Sequence, residues 1–398
     1  MASQTRGTRR WFVLTGVLVG SFAVSAADIE VASGLDRDVF GAVMAVGLLC
    51  GAAANVIAGR QCARVGLPVV ARRWGVAWAL ALAVAASFGA TPLVAVAVVV
   101  VWATTAGVDI TMNISATTAL GGRPGRLLVF NTWFNGGAVL GALSTAVAAS
   151  LGGSWRVVWA SVAVLALWAA SRSFDTAPPV LSARSARAGD RPVRHVRVIG
   201  PVVLLAAGLF GSGAVGAGLD VWGVVYLRQD LGASLAGGAL AVVAGQSVAI
   251  VARLGAGLVA AGSGVRTALA ATGFAVVAGV VLLTSAGTAP MAALGLAMTM
   301  GVLSCAWPLT LLQVASVSAQ PARALGVVSA AGQIGRVIGP FAVAAVAQRT
   351  DLVAGLRVLL VGGAVMLAGA ILSPAGTDRR EKENTSVHSM SPPDAPKP

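Results

Sequence analysis

Asp109 is the first residue whose type and position call for chemistry. It sits in Gly107-Val108-Asp109-Ile110-Thr111-Met112-Asn113, near the end of an apolar run from Leu93 to Ile114. A carboxylate at the centre of a membrane helix is unfavourable by about 2.5–3.5 kcal/mol on insertion scales, so something must offset it. Two explanations compete: Asp109 takes up a proton or meets solute beside a polar pathway, or it fastens a neighbouring helix by a hydrogen bond. Asp220, in a second apolar run, poses the same question, with hydration from the outer edge as the alternative. Asp28 and Glu30 stand near the outer end of the first run, where a solvated rim accounts for them as well as a site does. Arg253 and Arg336 are the cations inside apolar runs, and Asp109 and Asp220 are their candidate partners. Such a set can act as a charge switch that breaks and remakes, or as static ion pairs between helices.

Neutral polar residues complete the inventory. Asn113, Asn131, Asn135, Gln246, Gln313 and Gln333 are amides in or near apolar runs, and each is either a substrate contact or interhelical glue. Trp222 and Trp307 can stack on a ring or an apolar solute, as can Trp102 and Trp133, although tryptophan also marks membrane interfaces. From these residues the substrate cavity is expected to include Asn113, Trp222, Trp307 and Gln313. Enzyme chemistry is poorly supplied, because the only histidines are His195 and His388, both outside the apolar runs. The chain has no G-x-x-x-x-G-K-[ST] loop. Gly211-Ser212-Gly213-Ala214-Val215-Gly216 fits G-x-G-x-x-G but lies within an apolar run with no preceding strand, so no dinucleotide site is expected. Cys50, Cys62 and Cys305 fall in two spans and one loop, which predicts no disulfide, no metal site and no cofactor.

The elements that must position these residues are membrane helices. The 398 residues are 57% hydrophobic and 11% charged, with mean hydropathy +0.86, where soluble domains carry roughly 25% charged residues. Continuous apolar runs predict helices rather than a barrel. Runs long enough to cross a bilayer number twelve, at 11–31, 39–59, 74–90, 93–114, 127–150 and 154–171, then 198–227, 236–260, 267–287, 290–314, 325–347 and 352–372. A net charge of +14 would suggest nucleic acid in a soluble protein. Here 21 of the 28 basic residues fall in alternate loops and the two ends, so charge reads as topology, with both termini cytoplasmic in the cell (inner) membrane and no nucleic-acid partner. Residues 1–10 are read as a cytoplasmic N-terminus, 172–197 as a cytoplasmic linker, and 373–398 as a disordered tail. Arg9-Arg10 ahead of an apolar run imitates a signal peptide, but cleavage would remove one of the twelve helices, so it is read as retained.

Sliding the chain by 198 residues lays Gly47 on Gly245, Gly59 on Gly257, Gly66 on Gly264, Gly75 on Gly273, Gly137 on Gly335 and Gly141 on Gly339. In the window 41–141 seven of 14 glycines meet a glycine, where chance gives about two. Two parallel six-helix bundles follow, 11–171 and 198–372, an all-α integral membrane fold of the kind found in secondary transporters.

Six plus six helices, a basic central loop and a parallel repeat resemble the major facilitator superfamily. Gly107 to Asn113 is similar to the G-x-x-D-x-x-M-N pattern of helix four in its fucose-permease-like branch. Asp220-Val221-Trp222-Gly223-Val224-Val225-Tyr226-Leu227-Arg228 resembles that branch's D-W-x-x-x-Y-L-R with one residue inserted, and Gly335-Arg336-Val337-Ile338-Gly339-Pro340 resembles its G-x-x-x-G-P. The loop signature G-x-x-x-D-R-x-G departs: Gly59-Arg60-Gln61-Cys62-Ala63-Arg64-Val65-Gly66 has Ala63 in place of the acid, and 257–264 lacks both acid and arginine. The resemblance therefore implies alternating access without the usual charged latch. In that fold helices one, four, seven and ten line the cavity, which places Asp28, Asp109, Asp220 and Trp307 on cavity helices.

The reading is a secondary transporter, functional as a monomer in the lipid bilayer, moving a small organic solute with protons. Asp109, Asp220 and Asp28 are its candidate coupling acids. Export of apolar or amphipathic molecules is favoured over uptake of a sugar-like nutrient, because an apolar cavity with few charges and several tryptophans suits such a solute and one tyrosine in the whole chain argues against a sugar site. A non-transporting receptor is the remote alternative.

Overall fold

The computed structural model describes residues 2–35, 37–88, 93–120, 124–172, 199–233 and 235–374. Most of the expected linker and tail therefore lie outside the described residues. The first half contains α1 (Ala2–Ser33), α2 (Arg37–Val65), α3 (Leu67–Ser87), α4 (Leu93–Leu120), α5 (Pro124–Phe130), α6 (Thr132–Ser150) and α7 (Trp155–Arg172). The second contains α8 (Ile199–Gln229), α9 (Leu235–Ser263), α10 (Val265–Ser285), α11 (Ala289–Leu303), α12 (Ala306–Val317), α13 (Pro321–Ala347), α14 (Leu352–Arg357) and α15 (Leu359–Leu372). Among the described residues ten segments are long and apolar enough to cross a membrane, and Trp155–Ser171 is a shorter apolar helix. The expected fold class holds, with local differences. Helix α1 begins at Ala2 rather than near residue 11, and the fifth, tenth and twelfth expected spans are each broken into two helices.

The halves repeat at the same offset as the sequence. Adding 198 to the bounds of α2 and α3 gives those of α9 and α10. Gly66 and Gly264, which turn the chain between these helices, share φ +90°, a conformation that favours a residue without Cβ. Small residues then set the packing within each half, as expected where lipid supplies no hydrophobic drive between helices. A Cβ on Gly137 or Gly141 would run into the Val13 and Val17 carbonyls of α1, and one on Gly335 or Gly339 into the Phe210 and Ala214 carbonyls of α8. Helices α1 and α6 pair in one half as α8 and α13 do in the other. Leu140, Leu143, Leu258, Phe274, Phe341 and Val361 are exposed around the outside, where only lipid is a suitable neighbour.

The halves meet through α2 against α13 and α5 against α9. A Cβ on Gly59 would lie 2.6 Å from the Ala322 carbonyl oxygen, and one on Gly326 2.5 Å from the Asn55 carbonyl oxygen. On the other side, a Cβ on Gly257 would lie 3.1 Å from the Gly125 Cα. All four glycines stand at the end of the molecule that carries the arginine-rich loops. Toward the other end of α2, Gly41 has nothing within 4 Å of a Cβ. The seam is thus closed at the arginine-loop end, and at Gly41, five turns from Gly59 on the same face of α2, it stands parted.

Candidate functional site

The seam brings three charged residues together. Helix α4 supplies Asp109, half-buried among buried neighbours Val108, Ile110, Thr111 and Met112. One turn on, buried Asn113 donates from Nδ2 to Asp109 Oδ1 at 3.1 Å and to the Asp109 carbonyl oxygen at 2.9 Å. Helix α8 supplies Asp220, whose side chain is exposed. The guanidinium of Arg336, on α13, lies within electrostatic reach of both carboxylates. One acid belongs to the first half, and the other acid and the cation to the second. Their separation therefore depends on how the halves stand to each other.

Trp222, two residues after Asp220, donates from Nε1 to the Pro340 carbonyl oxygen at 3.0 Å, tying α8 to α13. Pro340 has no N–H to offer the Arg336 carbonyl four residues back, so that carbonyl loses its usual helical donor beside the charged cluster. Trp307 is half-buried on α12, its ring against Gly332 of α13. In the first half, Trp102 packs edge-on to Phe22 of α1 with ring centroids 5.1 Å apart, and its buried Nε1 has no hydrogen-bond partner. That contact was not legible in the sequence, since Phe22 is one apolar residue among many in its run.

Two expectations need correction. Arg253 does not join the acids: it is 7% exposed, and its electrostatic neighbour is the Cys305 thiol. The reason is its register on α9. Gly245 and Gly301 mark the face of α9 packed on α11, with Gly245 against Met300 and Gly301 against Val248 and Ala249, and Arg253 continues that face two turns beyond Gly245. Its Nε and Nη1 have no hydrogen-bond partner. The repeat equivalent, Asn55, is fully buried with both side-chain polar atoms unpartnered. The second correction is Gln313. It is buried, and its Nε2 donates to the Pro374 carbonyl oxygen at 2.7 Å, so it anchors the end of α15 rather than facing the seam. Asp28 is exposed and Glu30 half-buried in the last two turns of α1, toward the parted end.

The closing glycines were only half visible beforehand. Gly59 and Gly257 stand out as a repeat pair, but their partners Gly326 and Gly125 fall opposite Leu128 and Arg323 in the 198-residue comparison. Their role rests on contact between halves, which an internal comparison cannot show. Around them Ala63, Arg60 and Arg64 are exposed, and closure rests on backbone approach where the family's signature would place a charged latch.

A two-half helical bundle with charged groups at its seam defines a membrane transporter. The chain matches the Major Facilitator Superfamily over residues 11–340 and belongs to that family. Among curated protein sequences none matches significantly. Solved structures do. The transporter FucP in its outward conformation aligns with TM-score 0.73 at 13% identity, covering 93% of this chain and 98% of that one. The same protein is described as the E. coli fucose:proton symporter. The proton:xylose symporter XylE aligns with TM-score 0.75 at 14% identity, covering 94% and 96%. The chain is accordingly a multi-pass membrane transporter, not an enzyme.

Proposed function

We propose that the chain is a proton-coupled secondary transporter that moves a small organic solute by alternating access, with Asp109 as the proton-carrying residue. The observation that supports this most is the position of Arg336, within electrostatic reach of an acid on each half. A proton on Asp109 cancels its attraction for Arg336 and loosens the seam; losing the proton restores it. Solute bound between Asp109, Asn113, Trp222 and Trp307 feels the same change. Protonation and solute thus bias one equilibrium between two arrangements of the halves, which is what coupling requires. Asp220 is the second acid of the switch, and Asp28 is a rim acid that hydrates the entrance.

The direction we favour is export of apolar or amphipathic molecules, because tryptophans outnumber free amides around the cluster. Uptake is the second reading, favoured by the two structural neighbours described as sugar–proton symporters. With both termini cytoplasmic in the cell membrane, the parted end faces outward. The test is reconstitution as a monomer in liposomes with an imposed pH gradient and a library of labelled solutes. Asp109→Asn is expected to lower gradient-driven accumulation by about tenfold or more while solute counterflow persists. Accumulation equal to wild type in Asp109→Asn sinks the assignment. The sign of the gradient that drives flux separates export from uptake.

A further inference from the structure

We infer that the first half carries a headgroup site for an anionic phospholipid, built from two arginine–tryptophan pairs at the arginine-loop end of α1. Helix α1 packs on both α6 and α7. Arg9 and Arg10, near its start, each reach a tryptophan on one of these neighbours. The Arg9 guanidinium stands 4.6 Å from the ring centroid of Trp133 on α6, and the Arg10 guanidinium 4.5 Å from that of Trp168 on α7. A guanidinium held by its flat face keeps its N–H donors free at the edge, and that edge matches phosphate oxygens. Among the described residues no carboxylate or other hydrogen-bond acceptor takes up either edge. Two positive charges are thus held in place without a protein counter-ion.

The surroundings favour a lipid over a soluble anion. Trp133 and Trp168 are 44% and 43% exposed. On α6 the exposed residues Trp133, Leu140, Leu143 and Val147 share one face, and on α7 Val157, Leu165 and Trp168 do the same. Each apolar stripe ends on an arginine. From Trp133 to Leu143 the rise is about 15 Å at 1.5 Å per residue, which is about half of a hydrocarbon core of about 30 Å, or one leaflet. Acyl chains lie along the stripes while the phosphate meets the arginines. The fold itself does not require these pairs. Gly137 and Gly141 meet the Val13 and Val17 carbonyls as Gly335 and Gly339 meet those of Phe210 and Ala214. That lays Arg9 and Arg10 on Ala206 and Ala207, and Trp133 on Ala331. Helix α15, which ends the second half as α7 ends the first, has neither tryptophan nor arginine. The second half therefore builds the same scaffold with both members of each pair missing together. A zwitterionic headgroup would bring its own cation to two fixed cations, so a net anionic lipid is the better occupant.

The experiment takes the full chain in detergent, strips bound lipid, and titrates phosphatidylglycerol or phosphatidylcholine, reading lipid bound per chain by native mass spectrometry. Wild type is expected to prefer phosphatidylglycerol by about tenfold or more. Arg9→Gln combined with Arg10→Gln is expected to weaken phosphatidylglycerol by about tenfold or more and leave phosphatidylcholine unchanged. Arg60→Gln combined with Arg64→Gln removes the same charge from exposed positions at the same end and is expected to bind as wild type does. Trp133→Leu combined with Trp168→Leu keeps both charges but frees both arms. It is expected to weaken phosphatidylglycerol by about fivefold or more, and it carries the test should the Arg9 and Arg10 variant fail to fold. Any of three results overturns the site: no preference in wild type, equal weakening by the two arginine double variants, or wild-type binding in the tryptophan double variant. Displacement of the lipid by inorganic phosphate also overturns it, by making the site one for a soluble anion.

Discussion

Gly59→Val tests how the closed end is held. A Cβ at this position meets the Ala322 carbonyl oxygen at 2.6 Å and the Gly326 Cα at 3.0 Å, both backbone atoms that no rotamer change can move aside. The helices must separate locally, and overpacking of this kind costs about 1–3 kcal/mol. The clash exists only while the halves touch here, so the penalty falls on the arrangement closed at the arginine-loop end. At about 1.4 kcal/mol per factor of ten, the equilibrium moves about 5- to 150-fold toward the opposite arrangement. Spin labels at Gly41 and Gln348, at the far ends of the crossing helices α2 and α13, report that shift as a distance distribution. The labels require a background with Cys50, Cys62 and Cys305 replaced. In Gly59→Val the long-distance population should fall and a shorter one grow. Gly255→Val is the matched control, since a Cβ at Gly255 has nothing within 4 Å. An unchanged distribution in Gly59→Val, or an equal shift in Gly255→Val, refutes the reasoning.

Arg336→Gln and Asp220→Asn should each slow solute flux, and the double variant should depart from additivity by about 0.5–3 kcal/mol, since the two charges share one electrostatic cluster. A cycle in kcat/KM that closes within about 0.3 kcal/mol removes the link. Gly339→Leu places side-chain atoms on the Ala214 carbonyl and should destabilise the second half by about 1–3 kcal/mol, read as a lower melting temperature. Gly262→Leu, with open space around its Cβ, should melt as wild type does. Trp78→Phe removes the buried bond from Nε1 to Thr105 Oγ1 at 2.8 Å and should cost about 0.5–1.5 kcal/mol in an unfolding titration.

The repeat was readable because glycine has a specific task in both halves. Where Gly137 and Gly335 admit a neighbouring carbonyl, no larger residue fits, so the spacing of crossings is written into the spacing of glycines. Asp109 and Asn113 were readable for a similar reason: four residues apart on a helix, they were bound to be neighbours. The choice between Arg253 and Arg336 was not readable. Both are single arginines in apolar runs, and which faces the seam depends on the rotation of α9 and α13 against partners distant in sequence. Gln313 was opaque for another reason, because its acceptor is a backbone carbonyl 61 residues away, just past the last helix. The break at Ser304 has a residue signal, since Pro308 has no N–H for the Ser304 carbonyl four residues back, whereas the break at Val358 has no proline near it.

The uncharged closure has a consequence for the surroundings in which the protein works. A latch of arginine and carboxylate weakens as ionic strength rises, because mobile ions screen exposed charges over a Debye length of about 8–10 Å. Backbone packed against backbone at Gly59 and Gly326 offers salt nothing to screen. Salt can still act on the exposed charges of Asp220 and Arg336. The closure at these glycines therefore answers to packing, and the Asp220–Arg336 cluster to the ions dissolved around it.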